Sequence, residues 1–345
     1  MGCLGSKEES NANEETNEKP TFSWEKGPRL DPKDYTIGDL TGELAAKMPG
    51  EINGQQFIIQ NNKDCRIFVL DHAETITIDD CINCQIVIGP CAGSVYFRDC
   101  QDCKVLVACQ QFRTRDCKKM DFFLCCGTQP VIESSKGMKF GCYQYYYPEL
   151  EGQFEAAKLS LYNNNWSNIH DFTPAAGETT WGLIPEEDAT NIETLLPTPE
   201  QYRDRNISSD ASMSVVPLTL GSRRKPYDES CLVVFFQYPE MKSHVRRLIS
   251  DQRRERNQVL VQTKEVSMKP DDVARIFQSE EYRAAADSGP VIGLEFNGKD
   301  CVQNTEDALN QICDRSLGSI YFSSTPEKAL HDIDAFYNFV DLSMS

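Results

Sequence analysis

Apolar and polar positions recur in register through the middle of the chain. Cys65, Cys84 and Cys103 stand nineteen residues apart, and each opens a similar run: CRIFVL, CQIVIG and CKVLVA. A second frame runs beside it and closes on Cys81, Cys100 and Cys117, as TITIDDC, SVYFRDC and QFRTRDC. Two short β-type runs in each period of about twenty residues predict stacked coils, a right-handed parallel β-helix. Strand side chains alternate between faces. Ile76, Val95 and Phe112 then form one inward ladder, and Ile78, Phe97 and Thr114 another. Thr77, Tyr96 and Arg113 face outward in one row, and Asp79, Arg98 and Arg115 in the next. The following coil, VIESS, places Ile132 inward and Glu133 outward in the row of Arg113. Asp64, Asp80, Asn83, Asp99, Asp102 and Asp116, beside the cysteines, suit the turns between faces.

The pattern changes outside this region. Residues 1–33 form a Glu/Asn-rich tail of low hydrophobicity, too poor in apolar groups to pack. The β-helix domain is expected over 34–204. Residues 205–230, rich in Ser and broken by Pro217 and Pro226, read as a linker. From 231 to 345, strand-length runs (CLVVFFQ, QVLVQTKEV, GPVIGLEF) alternate with helix-like ones. DDVARIFQSEEY carries Val273, Ile276 and Phe277 at helical spacing, and NTEDALNQIC follows. This alternation predicts an α/β layer domain.

Composition narrows the function. The 345 residues are 40% hydrophobic and 26% charged, with a net charge of −18. That balance argues against nucleic acid as a partner, because phosphate binding needs basic surface. No apolar run nears the roughly 20 residues that span a bilayer, and the acidic amino terminus has no secretory character. Fifteen cysteines are then read as thiols in a reducing compartment rather than as a disulfide framework. Cys81-x-x-Cys84 and Cys100-x-x-Cys103 also fit the spacing of a four-cysteine zinc site. A third copy in register favours the repeat, since zinc needs no third copy and stacked coils do. No metal is expected. On spacing alone Arg113 reads as a solvated charge. The alternative is a rigid strand presenting a guanidinium fork to a partner's phosphates.

Several stretches carry a resemblance: PGEINGQQF (49–57), the cysteine coils, QQFRTRDC (110–117), FLCCGTQPVIESS (123–135), YYYPEL (145–150) and WSNIHDFTP (166–174). They resemble the tubulin-folding cofactor C domain family. The closer likeness, extending through VQTKEVSMK and GPVIGLEFNG, is to the retinitis pigmentosa type-two family, which joins that domain to a second one. The resemblance implies a GTPase-activating protein acting on an Arf-like small GTPase in its GTP form, with tubulin as the family's other target class. Arg113 is the implied arginine finger. Gln110 and Gln111 help place the partner's active site, Glu133 supports the finger, and Arg115 and Phe172 contact the partner. No cofactor is expected on this chain, because the GTPase holds GTP and Mg²⁺; no GxxxxGK[ST] loop is present here. Tyr145–Tyr147 are expected to cover the open end of the β-helix.

The amino terminus, MGCLGS, fits the myristoylation pattern at Gly2, with Cys3 a palmitoylation candidate. One myristoyl chain anchors only marginally, and the tail is acidic rather than basic, so the second signal is assigned to Cys3 or to a protein partner. The expected location is the cytoplasmic face of the plasma membrane at the base of the cilium, in support of lipidated-protein trafficking. SGPVIGLEFNG (288–298) resembles nucleoside diphosphate kinases, whose fold is a ferredoxin-type α/β domain. Their N-x-x-H-G-S-D signature is absent, and His244 and His331 match nothing in it, so kinase activity is not expected. The competing reading of the chain is a non-catalytic effector or scaffold.

Overall fold

The computed structural model describes residues 31–174, 177–313 and 318–344. Twelve strands build the first part: β1 (Thr36–Gly38), β2 (Leu44–Lys47), β3 (Phe57–Gln60), β4 (Arg66–Val69), β5 (Ile76–Asp79), β6 (Gln85–Arg98), β7 (Lys104–Arg115), β8 (Asp121–Cys126), β9 (Val131–Glu133), β10 (Met138–Cys142), β11 (His170–Asp171) and β12 (Trp181–Leu183). All their pairings are parallel, in a solenoid of about six turns. One face stacks β2, β4, β6, β7, β8, β10 and β12; the second stacks β1, β3, β5, β6, β7, β9 and β11. Strands β6 and β7 are long because they turn a corner and serve both faces. A third edge is a ladder of single bridges through Thr41, Lys63, Ile82, Gln101, Lys118 and Lys136.

The inward ladders follow the sequence pattern. Phe57, Ile76, Val95 and Phe112 lie in register, as do Ile59, Ile78, Phe97 and Thr114, all buried. The corners explain the Asp/Asn spacing. Asp64, Asp80, Asn83, Asp99, Asp102 and Asp116 all have φ between 52° and 55°, the left-handed region these side chains tolerate. The cysteines beside them fill the inner corner, and each thiol donates to the carbonyl two residues back, for example Cys84 to Ile82 and Cys103 to Gln101. Among the described residues no group of three or more His, Cys, Asp or Glu could hold a metal ion.

The tyrosine cluster sits elsewhere than expected. Phe68, Val87, Leu106 and Phe123 form an outward row that is apolar and buried. Tyr143, Tyr145 and Tyr147 cover this lateral face together with Leu150 and Phe154 of α1 (Leu150–Ala156). An outward row of four large apolar side chains requires a lid, which the open end of the coil does not share. That end is closed by Trp181, paired beyond Met138, and by Trp166, whose indole N–H donates to the Thr219 hydroxyl at 2.9 Å. Two short helices, α2 (Glu186–Ala189) and α3 (Ile192–Leu195), follow.

Residues 205–230 are in part exposed but touch both parts of the fold. Val216 is buried with the tyrosines, and the N–H groups of Leu220 and Gly221 bond the carbonyls of Leu260 and Val261. The last part is a four-stranded antiparallel sheet of β13 (Ser230–Phe235), β14 (Val259–Val266), β15 (Val291–Asn297) and β16 (Ile320–Phe322), in the order β14-β15-β13-β16. Its helices are α4 (Met241–Arg254), α5 (Pro270–Phe277), α6 (Arg283–Ala286), α7 (Cys301–Ile312) and α8 (Pro326–Met344). The strand order is the split βαββαβ arrangement of ferredoxin-type domains. Sequence reasoning passed over α4, although Met241, Val245 and Leu248 are buried at helical spacing among charged neighbours.

Strand β14 binds the solenoid directly. The Asn163 amide donates to the Glu265 carbonyl and its oxygen accepts the Glu265 N–H, at 2.9 and 2.7 Å. Thr263 donates to the Tyr162 carbonyl at 2.7 Å, and the Lys264 ammonium to Asn165 Oδ1 at 2.6 Å. Burial pulls the Lys264 pKa below its usual value.

Candidate functional site

The second face of the solenoid presents two outward rows. One runs Ile58, Thr77, Tyr96, Arg113, Val131, His170; the other runs Gln60, Asp79, Arg98, Arg115, Glu133. Arg113 and Arg115 are both exposed, and the residue between them, Thr114, is fully buried. Period-two alternation therefore aims both guanidinium groups at solvent from a strand whose backbone is paired on both sides.

The register corrects one expectation. Glu133 lies opposite Arg115, not Arg113; the partner of Arg113 is Val131, and Ile132 continues the ladder of Thr114. The contact survives as a diagonal one: Arg113 Nη2 donates to Glu133 Oε2 at 3.2 Å. The slip arose from aligning Ile132 with Phe112 as apolar residues. A better signal was present. Ser134 has φ 47° and occupies the place of Asp116, and Ser135 occupies the cysteine place of Cys117. Ser135 Oγ donates to the Glu133 carbonyl at 2.8 Å, accepts the Cys117 N–H at 3.2 Å and lies 3.1 Å from Thr114 Oγ1. This buried hydroxyl knot ties the strand of Arg113 to the strand of Glu133.

The Arg113–Glu133 pair is open to water, with side chains 52% and 24% exposed. Such pairs contribute about 0–1 kcal/mol. Its consequence is orientation rather than stability: one edge of the guanidinium is held, and the rest of its fork faces solvent. The neighbours are held differently. Arg98 bonds Asp79 at 2.7 Å, and Arg115 bonds Asp116 at 3.3 Å through Nε. The Tyr96 hydroxyl, then the Glu133 carboxylate, raise the pKa of Arg115 above its usual value. Tyr96 was not singled out from the sequence, because a tyrosine in an outward row carries no motif.

Other predicted residues divide. Gln111 is exposed beside Arg113 and accepts the Ser94 hydroxyl at 3.0 Å. Gln110 turns away at the corner; its amide lies where a β-carbon on Gly127 would stand, at 2.5 Å. Phe172 is 61% exposed, its N–H bonds the Ile132 carbonyl at 2.9 Å, and its ring stands edge-on to His170. Arg113, Arg115, Glu133, Gln111 and Phe172 therefore share one face, and Gln110 lies at its margin. Gly2 and Cys3 lie outside the described residues. In the second domain, His244 Nδ1 meets the Tyr238 hydroxyl at 2.9 Å, and His331 Nδ1 is 3.4 Å from Asp332.

Comparison with known proteins places this geometry. The tubulin binding cofactor C family matches residues 54–172, the span that holds both outward rows. Human tubulin-specific chaperone C is 28% identical over 155 residues, covering 44% of this chain and 45% of its own. A solved Aquifex aeolicus nucleoside diphosphate kinase is 18% identical with a TM-score of 0.27, covering 31% of this chain and 94% of that one. Protein XRP2 of Danio rerio is 51% identical over 338 residues, 97% of this chain and 89% of its own length. Protein XRP2 of Homo sapiens is 46% identical across the whole of this chain. The chain belongs to the family of protein XRP2, the retinitis pigmentosa 2 proteins, which is related to tubulin cofactor C.

Proposed function

We propose that this chain is a GTPase-activating protein that supplies Arg113 in trans to an Arf-like small GTPase. The observation that carries this reading is an exposed guanidinium on a rigid parallel strand, with one edge held by Glu133 and the remainder open. As the γ-phosphoryl group leaves, negative charge builds on its oxygens. An arginine from outside neutralises that charge and displaces water, and such fingers are worth about 10³–10⁵ in rate. The partner supplies Mg²⁺, the phosphate-binding loop and the residue that orients the attacking water. Gln111, Arg115 and Phe172 flank Arg113 on the same face and supply contact area; Gln110, at the corner, is a secondary contact. The test is single-turnover GTP hydrolysis by candidate Arf-like GTPases with and without this chain. Acceleration by orders of magnitude supports the reading, and an unchanged intrinsic rate with demonstrated binding rejects it in favour of a non-catalytic effector. The similarity to tubulin-specific chaperone C keeps a tubulin-related partner in the second reading.

Glu133→Gln gives a graded prediction. The amide keeps the shape but weakens the hold on Arg113, because the acceptor loses its negative charge and the ion pair becomes a bond from a cation to a neutral amide oxygen. The stimulated rate should fall by about two- to fivefold, the rate equivalent of a pair worth up to about 1 kcal/mol and well short of the effect of removing Arg113. A rate equal to that of the parent protein would show that Glu133 does not position the arginine.

The proposed setting is the cytoplasmic face of the plasma membrane and the base of the cilium, reached through acyl chains on Gly2 and Cys3, in support of lipidated-protein transport. Among the described residues no helix is long and apolar enough to cross a membrane. A single myristoyl group binds membranes weakly and two acyl chains bind stably. Cys3→Ser should therefore shift most of the protein to the soluble fraction of lysed cells. Unchanged membrane association would exclude Cys3 as the second anchor.

A further inference from the structure

A cleft of about 610 Å³ opens between the solenoid and the second domain, on a side built by neither row of the arginine face. Its volume is in the range of small-molecule sites. The floor with accessible surface is apolar, with Met213, Val215 and Leu218 from the connecting segment and Ile249 of α4; Trp166, Leu260 and Phe296 also line the cleft but are buried. The walls carry four arginines, Arg223, Arg246, Arg253 and Arg254, against two carboxylates, Glu151 and Glu186. In a chain of net charge −18 this is a local reversal of sign.

The four arginines are not equivalent. Arg246 is engaged by Glu151. Arg223 donates to the Ile184 carbonyl at 2.6 Å and lies over the Trp166 ring at 5.7 Å. Arg253 and Arg254, at the end of α4, form no ion pair among the described residues and are exposed. The Asp210 carboxylate, whose pKa is lowered first by its bond from the Ser212 N–H, feels the field of both.

We propose that this cleft binds a small amphiphilic anion. The apolar body rests on Met213, Val215, Leu218 and Ile249. The acidic head meets Arg253 and Arg254. A carboxylate head or a phosphate head satisfies the same arginines, since both accept two parallel N–H bonds from a guanidinium.

The test uses the full-length chain and direct binding, with no GTPase present, so it stands apart from the activity proposed for Arg113. Displacement of 1-anilinonaphthalene-8-sulfonate is followed during titration with a fatty acid, with a lysophosphatidic acid, and with an uncharged monoacylglycerol of the same chain length. All are kept below their micelle concentrations. The expected result is saturable one-to-one binding of one or both acids, with the uncharged compound at least tenfold weaker. Whichever acid binds identifies the head group. R253E/R254E should weaken the acid at least tenfold while the melting midpoint falls by no more than a few degrees, the cost of two carboxylates in the last turn of α4. Leu218→Trp, which fills the floor, should weaken all compounds together. No saturable binding by either acid overturns the proposal, and so does equal affinity for acid and uncharged compound or for parent and R253E/R254E.

Discussion

Arg113→Ala should reduce the acceleration of GTP hydrolysis by about 10³–10⁵, the range an arginine finger supplies. The reasoning is local. The side chain is exposed, and its ion pair with Glu133 contributes at most about 1 kcal/mol to folding. The strand beneath is held by Phe112 and Thr114, which face inward and are untouched. The variant should therefore melt within a few degrees of the parent and keep most of its affinity for the GTP-bound partner, because Gln111, Arg115 and Phe172 remain in place. Arg113→Lys should recover little of the loss. An ammonium is a point charge and cannot form the planar two-point contact that a guanidinium makes with phosphate oxygens. Single-turnover measurements at saturating activator separate the rate from the affinity. Equal rates for the parent and Arg113→Ala would remove Arg113 from the chemistry.

The second large effect is on stability. Phe122 sits at the centre of the solenoid interior, fully buried, with ring centroids of Phe112 at 4.8 Å, Phe97 at 5.1 Å and Phe140 at 5.6 Å. The ring links three consecutive coils, and no neighbour is free to fill the space it would leave. Phe122→Ala should cost about 3–5 kcal/mol, the usual range for a buried aromatic. That is a large fraction of the 5–15 kcal/mol that holds a typical domain together. Urea unfolding should show a lower midpoint at nearly unchanged slope. Because Phe112 packs on this ring, the variant should also loosen the strand that carries Arg113. A cost under about 1 kcal/mol would mean that the interior repacks and that the aromatic stack is dispensable.

Much of the solenoid was legible because its physics is periodic. A coil that returns every seventeen to nineteen residues must repeat its inward side chains, so ladders such as Ile78–Phe97–Thr114 follow from alternation and spacing. The corner residues were legible for a similar reason: only a few side chains tolerate a left-handed backbone, and Asp and Asn recur there. The slip at Glu133 shows the limit of this reading. Matching Ile132 to Phe112 used apolarity, which many positions share, whereas the corner at Ser134 and Ser135 carried the register. The lid of tyrosines was misplaced because sequence shows that aromatic residues need cover but not which surface gives it.

The sequence by itself determined the repeat, the inward and outward alternation, and the exposure of Arg113 and Arg115, because these depend on neighbours along one strand. Only the tertiary structure decided that Glu133 reaches Arg113 diagonally from the row of Arg115. It alone brought Phe172 to the same face and folded residues 205–230 into the wall of an arginine-bordered cleft. Those relations join residues from 20 to more than 80 positions apart. They are set by register and packing between elements, which no local pattern encodes.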